Sequence, residues 1–183
     1  NGDLAEADGW ERRQLFQEFF FHLVGAIQFL SELVNVQKGL GIPDYEVSPR
    51  GVFRKLGDGD PIKPLLDQLY PGNVRGRALP GDPYSDEGCY FRILLFRNQV
   101  THVKDIPFLI TRSASASIRF NSGANTSIIM GRSRGDQQCS LPLDPRANPI
   151  RPSQRPAIDE LNRFFCLVNN KCLTILGYLD SDR

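Results

Sequence analysis

Between Trp10 and about Lys38 the apolar residues Phe16, Phe19, Phe20, Leu23, Ala26, Ile27, Leu30, Leu33 and Val34 recur at alternating spacings of three and four. That is the period of one helical face, and it predicts a long amphipathic helix stopped by Gly39 and Gly41. Prolines and glycines from Pro43 to Gly72 punctuate the next segment and leave room for two short helices, Pro49 to Leu56 and Ile62 to Tyr70. Ser85 and Asp86 are suited to cap a third long helix running to about Lys104. Cys89, Ile93, Phe96, Val100 and Val103 form one stripe on it. At about 100° per residue, Phe91, Leu94, Leu95, Asn98 and His102 fall on the other side. A helix apolar on two faces is either central in a core or packed on its own bundle with one face and on a partner with the other.

After Pro107 the helical period disappears. Phe108 to Ile110, Ser117 to Phe120 and Ser127 to Met130 read as short extended runs around a turn-rich stretch, which fits a small β-hairpin. Gly131 to Pro156 reads as a loop. The chain closes with a helix from Pro156 to Leu179, along which Ile158, Leu161, Phe165, Val168, Cys172, Ile175 and Leu179 alternate three and four. The elements predict an all-α four-helix bundle, a single domain over 1–183, with a hairpin and loop insertion over about 106–155 before the last helix.

Composition supports a folded domain, with 183 residues, 40% apolar and 23% charged. The net charge of +1 conceals an asymmetry. Arg112, Arg119, Arg132, Arg134, Arg146, Arg151 and Arg155 face only Asp136 and Asp144 in the same stretch, a bias that attracts polyanions or simply aids solubility. Cys89, Cys139, Cys166 and Cys172 show no C-x-x-C pair and fall largely on apolar helix faces, the usage of reduced, packed thiols in a cytoplasmic protein. The acidic opening from Asn1 to Gly9 lacks the basic region of a signal peptide, and the missing initiator Met suggests a trimmed start. Gln17, Glu18 and His22 interrupt the apolar run from Phe16 to Val24, so no membrane span is expected.

No phosphate loop, dinucleotide fingerprint, H-E-x-x-H or nucleophile elbow is present. Asp58-Gly59-Asp60 lacks the twelve-residue calcium pattern and reads as a capping loop. Asp86 and Glu87 suit a helix N-terminus. Of the two histidines, His22 reads as a packed or boundary residue within the first helix. His102 ends the third long helix one turn after Asn98, which Arg97 directly precedes. The run Phe96-Arg97-Asn98-Gln99-Val100-Thr101-His102 resembles the R-x4-H motif of the HEPN family, including the polar residue after the arginine. The resemblance covers the motif and the helix order. It implies a small helical bundle, a metal-independent endoribonuclease of a toxin–antitoxin or phage-defence system, homodimerisation, and no cofactor. An antitoxin or other defence protein would be a further partner.

The residue types suit that chemistry. Attack by the RNA 2′-hydroxyl needs a group near neutral pKa to move protons, the role of His102. Charge developing on phosphate oxygens suits the guanidinium of Arg97, and Asn98 would orient the imidazole or donate to phosphate. Arg112, Arg119, Arg132 and Arg134 would guide RNA. On an ideal helix, however, Arg97 and His102 lie about 140° apart. A two-fold dimer eases this by pooling two motifs, and Phe91, Leu94 and Leu95 are the apolar face that would form it. Two alternatives stand beside this reading. Arg97, His102 and Lys104 would equally complement a helix C-terminus, and the whole chain would equally serve as a non-catalytic helical interaction module.

Overall fold

The computed structural model describes residues 3–72, 76–102, 109–112, 137–147, 149 and 151–181, and among these the chain is mainly helical. α1 spans Asp3–Gln37, α2 Pro49–Lys55, α3 Ile62–Leu69, α4 Asp86–His102 and α5 Ala157–Ser181. A single 3-10 turn, Asp44–Glu46, precedes α2. Two strands, β1 (Leu109–Arg112) and β2 (Gln137–Ser140), pair antiparallel with Leu109 opposite Ser140 and Arg112 opposite Gln137.

The ends of the helices follow local chemistry. α1 stops where Gly39 takes a positive φ of 59° and the Leu40 amide donates back to the Asn35 carbonyl. The Asn35 side chain then ties the turn by hydrogen bonds to both the amide and the carbonyl of Ile42. Ser48 caps α2 through its hydroxyl, which accepts from the Gly51 amide, and Pro49 sits at the first helical position. Asp60 accepts from the Ile62 amide at the entry of α3, the capping-loop role expected of it. Ser85 caps α4, its hydroxyl accepting from Gly88. Position 88 admits only glycine, because a Cβ there would come within 2.6 Å of the Asp82 carbonyl oxygen.

The core is one cluster fed by every helix. α1 contributes Phe20, Leu23, Val24, Ile27, Leu30 and Val34, and packs on α2, α4 and α5. Phe20 stacks on Phe96 of α4 with ring centroids 4.8 Å apart. Every residue of α4 from Gly88 to Phe96 is buried. α4 is thus the central helix, the first of the two situations that its two-faced pattern allowed.

Three expectations need correction. Part of the segment read as loop is strand β2, and β1 runs on to Arg112. The runs Ser117 to Phe120 and Ser127 to Met130 lie outside the described residues. The buried face of α5 begins one residue earlier than its apolar stripe: Ala157, Glu160 and Phe164 are buried, whereas Ile158 and Phe165 are exposed. Finally, Gln14–Gln37 is long and apolar enough, by length and composition, to cross a membrane. The apolar run therefore extends beyond Phe16 to Val24. In this fold its inner face is packed on α4 and α5, as in a core helix.

Candidate functional site

The last turns of α4 leave the core. Arg97, Asn98, Gln99 and Val100 are half-buried and Thr101 is exposed. Arg97 Nη1 donates to Asn98 Oδ1 at 3.3 Å, and the Thr101 hydroxyl donates to the Arg97 carbonyl at 2.8 Å. His102 is the final residue of α4. Arg97 and Asn98 are therefore in contact at the place the sequence assigned them. The Asn98 carbonyl oxygen is turned to the guanidinium, which leaves the amide N–H groups to face any other partner. Among the described residues Arg97 forms no ion pair with a carboxylate. A half-buried guanidinium with free donors is suited to hold an oxyanion in a fixed plane.

One turn earlier lies a group that the sequence reading missed. Arg92 is 0% exposed and Glu160 2% exposed. Arg92 Nη1 donates to Glu160 Oε1 at 3.0 Å and Nη2 donates to Oε2 at 2.7 Å, a bidentate pair joining α4 to α5. The guanidinium carbon stands 5.3 Å from the Phe164 ring centroid and 5.9 Å from that of Phe96. Ser153 donates to Glu160 Oε1 at 2.6 Å, and Arg92 Nη2 also reaches the Pro142 carbonyl at 3.4 Å. Arg92 Nε has no partner among the described atoms. The signal was a lone arginine inside the apolar run Cys89-Tyr90-Phe91-Arg92-Ile93-Leu94-Leu95-Phe96. A charge there must find a partner.

The expected dimer face is also corrected. Phe91, Leu94 and Leu95 are 4%, 2% and 4% exposed within one chain, so they belong to its core and present no surface to a second copy. Exposed apolar residues lie on α1, at Leu15, Phe21, Phe29 and Val36, and on α5, at Ile158, Phe165, Leu173 and Tyr178. His22 also lies on α1 and is exposed, not packed, with Phe21 edge-on to its ring.

Of the arginines assigned to RNA, Arg112 ends β1, while Arg119, Arg132 and Arg134 lie outside the described residues. Beyond that set, Arg146 is paired with Asp144, whereas Arg151 and Arg155 are exposed, the latter over the Tyr84 ring. Burial raises the Asp144 carboxyl, but the hydrogen bonds and charge of Arg146 together outweigh it and hold the group below its ordinary value.

Cys89 is buried, Cys172 half-buried and Cys166 exposed, all as free thiols. Burial pushes the thiols of Cys89 and Cys172 up, and it pushes up the phenol of Tyr90, whose hydroxyl donates to the Leu167 carbonyl. These are packed groups of the core, without the depressed pKa of a nucleophile. Comparison with protein-family models, curated proteins and solved structures finds no match to this chain.

Proposed function

We propose that this chain is a metal-independent endoribonuclease of the HEPN type, working in a toxin–antitoxin or phage-defence setting. The finer reading of the fold is a four-helix bundle of α1, α3, α4 and α5 with β1 and β2 as a hairpin insertion. The observation that carries the proposal is the end of α4, where Arg97, unpaired with any described carboxylate, touches Asn98 one turn before His102.

In this reading Arg97 holds a non-bridging phosphate oxygen and His102 moves the proton. The 2′-oxygen attacks phosphorus and the bond to the 5′-oxygen breaks. The products are a 2′,3′-cyclic phosphate and a 5′-hydroxyl, so water and metal take no part in the bond change. A homodimer remains part of this reading. With Phe91, Leu94 and Leu95 in the core, the second copy meets the outward side of α1. Leu15 and Val36, and likewise His22 and Phe29, are equidistant from Gly25-Ala26. An antiparallel copy crossing at these two small residues sets Leu15 against Val36 twice, the self-complementarity that a two-fold interface requires.

Purified protein incubated with structured RNA in EDTA tests the reading. The expected products are fragments ending in cyclic phosphate. Intact RNA would favour the second reading, a helical interaction module, which the exposed apolar residues of α1 support in their own right.

A further inference from the structure

We propose that Arg92, Glu160 and Ser153 are positioning residues that latch the connection between β2 and α5 onto α4 and so hold the turn that carries Arg97 and Asn98 in fixed relation to that connection. The inference rests on the nuclease reading for its chemistry, but not for its structural half.

An apolar cluster of the same volume would fill this space at least as favourably, since a buried ion pair seldom adds net stability over well-packed hydrophobic side chains. Arg92 even leaves Nε without a partner. What the pair supplies is direction. Apolar surfaces can slide, whereas a bidentate pair has one register. Three separate segments converge on it. Arg92 comes from α4, Glu160 from the first turn of α5, and Ser153 and Pro142 from the connection between β2 and α5. That connection is itself a short antiparallel ladder, the Leu143 amide donating to Arg151 and the Ser153 amide to Leu141. The Ser153 hydroxyl, while donating to Glu160, accepts from the Arg155 amide at 3.0 Å and so leads the chain into α5. On α4 the same guanidinium covers Phe96, which stacks on Phe20 and directly precedes Arg97. The latch thus fixes both the connection between β2 and α5 and the residue from which the phosphate-holding turn begins.

The test is the double variant Arg92→Met/Glu160→Leu, which removes both charges together. It should unfold cooperatively near the wild-type midpoint while the Leu143 and Ser153 amides exchange with solvent roughly tenfold faster, and the amides of α1 exchange as before. Unchanged exchange at Leu143 and Ser153 in the folded variant would overturn the latch. Where the wild-type protein cleaves RNA, kcat should fall roughly tenfold while KM moves by less than about threefold, because the phosphate is still bound but misaligned. A kcat within twofold of wild type, on the order of experimental scatter, would overturn the positioning role. Wild-type protein that leaves RNA intact would defeat the nuclease reading, and the exchange result would then decide the latch alone. If the double variant does not fold, Ser153→Ala, which keeps both charges, takes its place with the same expected directions.

Discussion

Arg92 and Arg97 lie on the same helix, yet the first is enclosed by Glu160, Phe96 and Phe164 while the second sits half-buried beside the Asn98 amide. One helix thus carries a charge that is answered in the core and a charge that meets no carboxylate among the described residues. The difference arises from position. Gly88 to Phe96 runs through the core between α1 and α5, whereas the turns after it emerge. A guanidinium is never neutral, so the buried one must have its carboxylate, whereas the emerging one can be solvated.

Breaking the buried pair has the largest expected effect. Glu160→Gln leaves the Arg92 charge uncompensated and should cost about 3–5 kcal/mol in chemical denaturation. Arg97→Ala should cost less than about 1 kcal/mol. Equal losses from the two changes would erase the contrast between them.

The core and the outward side of α1 differ in the same way. Phe91→Ala should destabilise the fold by about 3–5 kcal/mol by opening a cavity. Phe29→Ala should stay within about 0.5 kcal/mol. Phe29→Glu, with its charge at the proposed two-fold contact, should convert a dimer to a monomer in size-exclusion with light scattering. A variant that stays dimeric would move the interface away from α1.

The contrast between these regions also marks what could be read from sequence. The closing helix, the short helices at Pro49 and Ile62, and the Ser85 cap follow from spacing and capping chemistry and stand where expected, whereas α1 ends as expected but begins at Asp3, well before Trp10. The later part of the α5 face, Val168, Ile175 and Leu179, is buried as expected, but its first turns differ. A hydrophobic count passes over Glu160 and shifts the stripe to Ile158 and Phe165, but Arg92 draws Glu160 inward and turns Phe164 in with it. Pattern alone treats each charge as solvated and cannot see two that neutralise each other across 68 residues of chain. The same blindness made Phe91, Leu94 and Leu95 resemble a docking surface, because a helix buried on all sides and a helix with a partner have the same apolar pattern. The placement of Arg97 and Asn98 near the end of α4 was legible because it depends only on local helical spacing.

A smaller effect should appear with pH. The thiols of Cys89 and Cys172 and the phenol of Tyr90 are raised above ordinary values of 9.0 and 10.0, in each case chiefly by burial. A raised acid stays neutral in the folded chain while the unfolded chain ionises. Their contribution is therefore complete below about pH 9 and is lost as pH rises beyond it. Thermal unfolding followed from neutral pH to pH 11 should show a flat midpoint and then a decline. Replacing Cys172 by Ser should soften that decline.

The central claim is that the end of α4 does chemistry. Its most direct test is the rate of RNA cleavage in EDTA by wild type, Arg97→Ala and His102→Ala, each first shown to unfold at the wild-type midpoint. The account predicts that each substitution lowers the rate by a factor on the order of 10² to 10³, as expected for removing a proton-transfer group or an oxyanion donor. A folded His102→Ala protein that cleaves at the wild-type rate would contradict it.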